Sequence, residues 1–403
     1  MVNGAARNLR YYYAGMMAGD VGYEVQSVAV AWHVYGLNHR PFDLGLVGLA
    51  LFLPSFAFAL PAGMVSDRFD RRIVVASMLA VEATSVAGFI TAVLLHVKAL
   101  PVYLSVLAVV GTARAFGVPS ERSLLPNIVA KERFLRAQAS YSIVRETIRI
   151  AGPALGGVLV ASSTTFALGG ACAMLSASAA LLAMLRYTPA ARSAGTATFR
   201  DALGGLQFLR SQPVVAGAIS LDLFAVLFGG ATALLPAFAD GVFHAGAPGL
   251  GLLRSAGGIG AGLAAFALSR RPPERHVGRT LLAAVAVFGG ATVAFGLSHS
   301  FVLSLGLLAI AGGADMVSVV IRSGLVQLQT PDAMRGRVNA VENVFIGASN
   351  ELGAFESGTL AALVGAVASV VIGGVATLTC IAVWSVLFPS LRMADRLTAD
   401  TAS

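Results

Sequence analysis

The sequence predicts an all-α membrane protein of twelve transmembrane helices, arranged as two pseudo-symmetric six-helix bundles. Three observations predict it. Charged residues make up only 12% of the 403 positions and hydrophobic ones 57%, at a mean hydropathy of +0.79. The apolar residues fall in long uncharged runs. The chain also repeats itself at an offset of half its length. A soluble domain carries about 25% charged residues, and half of that cannot cover a water-facing surface. A helix crosses a bilayer with roughly 20 apolar residues. A spanning β-barrel would instead show ten-residue alternation, which this sequence lacks. Cys172 and Cys380 lie within apolar runs and read as packing thiols, with no disulfide framework or zinc spacing around them.

The expected spans are 12–36, 43–66, 73–95, 101–119, 138–162, 164–186, 213–238, 248–269, 279–298, 301–322, 338–363 and 367–390. Turn chemistry such as Asn38-His39-Arg40-Pro41 and Arg271-Pro272-Pro273 separates them. No cleavable leader pattern precedes the first span. Of the 28 Lys and Arg residues, Arg114, Arg145, Arg149 and Arg254 fall inside spans. Only Arg40 and Lys98 fall on the side opposite the N-terminus, and all the others share the N-terminal side. That asymmetry places both termini in the cytoplasm by the positive-inside rule. It also accounts for the net charge of +8 without nucleic acid. Between the sixth and seventh spans, Tyr187 to Gln212 form the longest polar stretch. Apolar residues at 199, 203, 206 and 209 recur there at helical spacing, so a short amphipathic surface helix is expected. The domain boundaries follow: 1–187 and 213–403 as the two bundles, 188–212 as the cytoplasmic linker.

The repeat is read from several short matches in chain order. Ala14-Gly15 with Asp20 recurs as Ala216-Gly217 with Asp222, 202 positions on. Leu107-Ala108-Val109-Val110-Gly111-Thr112-Ala113-Arg114 recurs as Leu308-Ala309-Ile310-Ala311-Gly312-Gly313-Ala314-Asp315, 201 positions on. Arg122-Ser123 is matched to Arg322-Ser323, and Arg136-Ala137-Gln138-Ala139 to Arg337-Val338-Asn339-Ala340. Two parallel six-helix repeats put a substrate site between halves that rock against each other.

The loop after the second span reads Gly63-Met64-Val65-Ser66-Asp67-Arg68-Phe69-Asp70-Arg71-Arg72. It resembles the loop signature G-x-x-x-D-R-x-G-R-R of the major facilitator superfamily. Gly63, Asp67, Arg68, Arg71 and Arg72 match, and Asp70 replaces the usual glycine. Gly63 is expected to let helices approach closely. Asp67, at a helix end, is expected to pair with arginines in a cytoplasmic gate. In the fifth span, Gly152-Pro153-Ala154-Leu155-Gly156-Gly157 resembles the core of the superfamily's antiporter signature, with Ile148 in place of its upstream glycine. Pro153 removes a helix hydrogen bond, and Gly152, Gly156 and Gly157 permit bending or close packing. Arg114 resembles the fourth-span arginine of the superfamily's proton-linked exporters, although Gly117 stands where glutamine is usual. Leu234-Leu235-Pro236, Gly249-Leu250-Gly251-Leu252-Leu253-Arg254 and Thr330-Pro331-Asp332-Ala333-Met334-Arg335-Gly336-Arg337-Val338 resemble the drug and siderophore exporter group, which is enterobactin-exporter-like and macrolide-efflux-like.

Ionisable groups inside spans cost several kcal/mol unless paired or wet, so each is a functional candidate. Asp20, Glu24, Asp222 and Asp315 are the carboxylate candidates for proton coupling. Arg114 and Arg145 are their positive partners or anion-binding groups, and Glu146 joins them in the expected cavity. Glu82 is expected near an interface or a helix contact, and Arg149 and Glu342 close enough to the cytoplasmic ends to snorkel. Tyr11-Tyr12-Tyr13 reads as an interfacial belt. Gly15-x-x-x-Gly19 and Gly258-x-x-x-Gly262 read as helix contacts.

The resemblance and the repeat together imply a secondary transporter of the bacterial inner membrane, monomeric and surrounded by lipid. It would exchange protons for amphipathic small molecules such as drugs, macrolides or siderophores. An importer or uncoupled facilitator on the same fold is the other reading. No H-E-x-x-H, G-x-S-x-G or P-loop pattern occurs, so no enzyme, cofactor, metal or nucleotide-driven pump is expected.

Overall fold

The computed structural model describes residues 2–129, 131–186 and 199–397. Helices dominate: α1 (Val2–Asn38), α2 (Pro41–Ala57), α3 (Ala59–Arg68), α4 (Arg71–Leu94), α5 (Leu100–Arg122), α6 (Leu125–Ile128), α7 (Lys131–Ser162), α8 (Thr164–Ala183), α9 (Phe199–Ser211), α10 (Pro213–Phe228), α11 (Leu235–Ala237), α12 (Gly246–Arg270), α13 (Val277–Leu297), α14 (Phe301–Gln329), α15 (Asp332–Val364), α16 (Ala366–Leu387) and α17 (Pro389–Met393). Among the described residues there is no strand. The twelve expected spans all fall on helical segments, in the expected order.

Two spans are less regular than expected. The second breaks at Phe58 into α2 and α3, four residues after Pro54. The seventh leaves α-geometry at Gly229. It continues as a 3₁₀ turn (Ala231–Leu234), α11 and a π turn (Phe238–Val242). Others are longer than expected: α1 begins at Val2, α7 at Lys131 and α15 at Asp332, and α14 runs to Gln329.

Among the described residues, eight helical stretches are long and apolar enough to cross a membrane: α4, α5, α8, 213–242, α12, α13, α14 and α16. The other expected spans are α1, α7 and α15, which carry the acids and arginines, and the broken α2–α3. Only 28% of the most apolar window of α16 is buried, and Ile372, Val375 and Val386 face outward. An apolar surface of that extent requires lipid as its solvent.

The chain divides into two compact units. The first is Met1–His39, Leu49–Ala197 and Gly246–Ser255; the second is Arg40–Gly48, Thr198–Ala245 and Ala256–Ser403. Within the first, α8 packs on α1 and α4, α5 on α4, and α7 on α1. Within the second, α16 packs on α10 and α13, α14 on α13, and α15 on α10. These are the same four pairings, taken in span order, so the repeat in the sequence is also a repeat in packing. The second unit's core joins Ala218, Leu221 and Ala225 of α10 to Leu281 and Val285 of α13 and Ile321 and Leu325 of α14.

The linker helix forms as α9, and Leu209 sits in an apolar cluster with Val215, Ile219, Val326, Val338 and Val341. Its C-terminal turn therefore docks on the second unit; residues 187 to 198 of the expected linker lie outside the described ones. Of the tyrosine run, Tyr12 is buried and edge-on to Tyr141, while Tyr13 donates to the Ala137 carbonyl at 2.9 Å. Both are packing residues between α1 and α7 rather than an outward belt. The small-residue contact expected on α1 is present, with Gly15 against Leu182 and Gly19 against Ser178. In α12 the close approach to α14 falls on Gly257 and Gly260.

Candidate functional site

α1 carries Asp20 and Glu24 one turn apart, and α4, α5 and α7 enclose the space in front of them. The result is a cavity of about 460 Å³ within the first unit. Its wall holds the carboxylates of Asp20, Glu24, Glu82, Glu121 and Glu146 and the guanidinium groups of Arg114, Arg145 and Arg149. Met16, Tyr23, Met78 and Leu79 supply apolar surface beside them. The volume lies in the range that holds a small organic molecule.

The charges form two groups. Arg114 lies 3.9 Å over the Tyr23 ring and donates to Glu82 at 3.5 Å. The Glu82 side chain is fully buried, and its second oxygen has no hydrogen-bond partner. Arg145 reaches from α7 to Asp20 at 3.9 Å and to Glu121 at 4.0 Å, and Tyr141 donates to Asp20 at 3.2 Å. The Arg145 side chain is 51% exposed, so each of these contacts is worth roughly 0–1 kcal/mol. One arginine thus holds two carboxylates loosely. Glu24 stands apart from both groups, its side chain against Gly152 of α7. Arg149 pairs with Glu146 at 3.7 Å and lines the cavity, which is more than snorkelling to a span end. Arg254 donates to Ser27 at 3.1 Å.

The second unit holds a sealed counterpart. Arg322 of α14 contacts Asp222 of α10 at 3.3 Å and donates to Glu342 of α15. Side-chain exposure is only 4% for Arg322, 9% for Asp222 and 11% for Glu342. Two expectations are corrected here. Arg322 does not end its span, because α14 continues seven residues past it. Glu342 does not snorkel, because the buried guanidinium holds it inside. The register of the repeat shifts by one as well. Arg322 answers to Glu121 and Glu342 to Tyr141, both 201 positions apart, whereas Arg122 is exposed at the end of α5. Each unit therefore has one arginine between two carboxylates, Asp20–Arg145–Glu121 and Asp222–Arg322–Glu342. Asp315 lies with Asp222 on a separate small cavity.

The gate motif is only partly realised as expected. A Cβ at Gly63 would meet nothing within 4 Å, so the glycine does not serve close packing; Ala62 is the buried residue of that turn. The Asp67 side chain lies outside the described residues. Arg68 is exposed. Asp70 is the N-cap of α4, accepting from the Arg72 backbone at 2.9 Å, and it pairs with the Arg72 guanidinium at 3.4 Å. Arg72 also donates to the Leu185 carbonyl just beyond α8 at 2.5 Å, and Arg71 to the Ser123 carbonyl at 3.4 Å. The loop thus ties α4 to the ends of α8 and α5. Asp70→Ala is expected to cost about 1 kcal/mol through the lost cap, read as a lower melting midpoint.

In α7 the Gly-Pro motif packs on both sides. A Cβ at Gly152 would lie 2.6 Å from Glu24, one at Gly156 3.2 Å from the Val25 backbone, and one at Gly157 2.5 Å from the Ala247 carbonyl. A Cβ at Gly251 would likewise lie 2.5 Å from the Pro153 carbonyl, and the Ala154 amide donates to Ser255 at 3.1 Å. The motif holds α7 against α1 and the start of α12. Gly157→Val is expected to destabilise the protein by about 1–3 kcal/mol through overpacking, again read in the melting midpoint.

Sequence reasoning found Asp20, Glu24, Arg114, Arg145 and Glu146, and the cavity brings them together. It missed Glu121, and it placed Glu82 near an interface or in a helix contact, whereas that residue lines the cavity. The register of the repeat was the available signal for Glu121. Among the described residues no group of three or more His, Cys, Asp or Glu converges as a metal site.

Residues 5–402 match the family described as transmembrane secretion effector. The chain belongs to that family, within the major facilitator superfamily. This transporter is 27% identical over 352 residues to the enterobactin exporter of Citrobacter koseri, covering 86% of this chain and 83% of that one. It is 26% identical over 347 residues to the enterobactin exporter of Escherichia coli O139:H28, covering 85% and 82%. Among solved structures it resembles a mutant of the nucleoside transporter NupG (TM-score 0.75, 12% identity, 94% of this chain and 100% of that one). It also resembles a bacterial homologue of the iron transporter ferroportin in its inward-facing state (TM-score 0.73, 16% identity, 96% and 99%). At those identities the structures show the fold.

Proposed function

We propose that this transporter is a proton-coupled exporter of amphipathic small molecules, working by alternating access in the bacterial inner membrane with both termini cytoplasmic. The observation that carries the reading is the first-unit cavity, where Asp20 shares Arg145 with Glu121 beside an apolar wall. A carboxylate held by an arginine stays ionised; moved away from both arginine and water, it takes a proton. A shift of α7 that carries Arg145 toward Glu121 leaves Asp20 free to bind one. The reverse shift expels it. Because each contact is weak, helix motion of the alternating-access kind can break it without a large barrier. The apolar side chains suit a molecule with a hydrophobic body, and the similarity to enterobactin exporters supports efflux of siderophores or related amphiphiles.

The test is uptake of a panel of siderophores, macrolides and amphipathic dyes into inside-out vesicles. Accumulation that a protonophore collapses supports the exporter. Flux that simply equilibrates, unaffected by the protonophore, makes the protein a facilitator and ends the coupling proposal.

A further inference from the structure

Two pairs of residues face each other across α4 and α5 in the wall of the first-unit cavity. Glu82 of α4 meets Arg114 of α5 at 3.5 Å. One turn away on each helix, Met78 of α4 lies against Gly117 of α5. A Cβ at Gly117 would collide with the Met78 sulfur. The missing side chain therefore seats the thioether against α5, one turn from the guanidinium. Met78 and Arg114 line the same cavity.

Arg114 is held on two sides and open on a third. Tyr23 of α1 covers one face, with the ring centroid 3.9 Å from Cζ. Glu82 stands at the Nη1 edge. The Glu82 side chain is fully buried, whereas 30% of the Arg114 side chain is exposed, and the space it borders is the cavity. A guanidinium is planar, so support on one face leaves the other to a ligand. It also stays charged whatever the protonation of the acids around it. What it offers is therefore independent of the charge on Glu82, Asp20 or Glu24.

A flat cation beside a polarisable sulfur favours one kind of group. A saturated ring laid on a guanidinium strips its hydration and returns no electrostatic attraction. An aromatic ring presents the negative face of its quadrupole, stacks on the guanidinium plane and accepts a thioether at its edge. The Tyr23 ring already uses the near face in this way. We propose that Tyr23, Arg114 and Met78 form an aryl subsite, in which an aromatic ring of the substrate completes a stack of Tyr23, Arg114 and ring with the Met78 sulfur at its edge. The cavity of about 460 Å³ has room for a bicyclic body. The inference rests on the first-unit cavity being the substrate site, and it narrows the amphipathic substrate to one whose apolar body is aromatic. Transport direction and proton coupling do not enter it, because the selectivity lies in binding.

The experiment measures binding of two probes with one carbon skeleton, naphthylmethanol and the fully hydrogenated decalinylmethanol. Both are neutral alcohols, so they differ in aromaticity and not in charge. The full chain in nanodiscs is dialysed to equilibrium against each probe, with empty nanodiscs of the same lipid as the blank. The aromatic probe is expected to bind about tenfold more tightly than the saturated one. Met78→Leu, which keeps the volume and removes the sulfur, should lower that ratio about threefold. Arg114→Met combined with Glu82→Gln, which leaves no acid facing an unpaired space, should lower it by a similar factor. Equal binding of the two probes overturns the subsite, as does binding of neither above the blank. A preference that both variants leave unchanged also overturns it, since the ring would then sit elsewhere. None of these outcomes bears on the exporter reading, which the protonophore test decides separately.

Discussion

Replacing Arg322 by alanine is expected to cost the transporter about 3–5 kcal/mol of stability, read as a melting midpoint far below that of the wild type. The reason is desolvation. Asp222 and Glu342 would be left facing each other in a space where neither reaches water, with no cation between them. The cost belongs to the uncompensated charges rather than to the strength of the ion pairs, and that distinction can be measured. Combining Arg322→Met with Asp222→Asn and Glu342→Gln removes all three charges together. The triple variant should recover most of the lost stability, because a neutral cluster of similar volume carries no such penalty. Arg145→Ala supplies the contrast. Arg145 is half exposed and its contacts are long, so its loss should change the melting midpoint little while impairing transport. Thermal unfolding of the three variants in the same detergent orders them: Arg322→Ala far below wild type, the triple variant and Arg145→Ala near it.

The second large effect concerns the gradient that transport can sustain. One proton exchanged for one neutral substrate supports a concentration ratio of about tenfold for each pH unit imposed, since one unit corresponds to about 1.36 kcal/mol. Asp20→Asn keeps the volume and the Tyr141 contact but removes the group that binds the proton. Its accumulation ratio should fall to about one, whatever the pH gradient. Exchange of labelled for unlabelled substrate should persist, because that needs only binding and alternating access. Loss of both activities would make Asp20 a structural residue. Retention of gradient-driven accumulation would move coupling elsewhere in the cavity, with Glu24 the next group to substitute.

The contrast between these two arginine clusters explains what the sequence could and could not reveal. Twelve spans were legible because the apolar runs are long and the turn residues between them are distinctive. Asp20 and Asp222 were legible because an isolated carboxylate in an apolar run stands out. Arg322, Glu342 and Glu121 were not. Each lies near the end of a run, where a charge ordinarily marks the passage into water. The reading that ended the tenth span at Arg322 weighed that residue alone. The structure offsets its burial with Asp222, 100 positions earlier, and with Glu342, one element later. Compensation between distant residues leaves no local trace. Tyr12 failed for a similar reason, since an aromatic residue near a span end fits a membrane interface as well as a helix contact, and only Tyr141 on α7 decides between them. The repeat held the missing information: in the 201-residue register, Glu121 and Tyr141 fall on Arg322 and Glu342.

The most direct test of the coupling claim is the movement of protons themselves. The purified transporter is reconstituted in liposomes loaded with a pH-sensitive dye, a pH gradient is imposed, and a transported substrate from the vesicle panel is added. The account predicts that substrate addition dissipates the gradient in wild-type liposomes and leaves it standing in those containing Asp20→Asn. A gradient that persists in wild-type liposomes while labelled substrate crosses would contradict it.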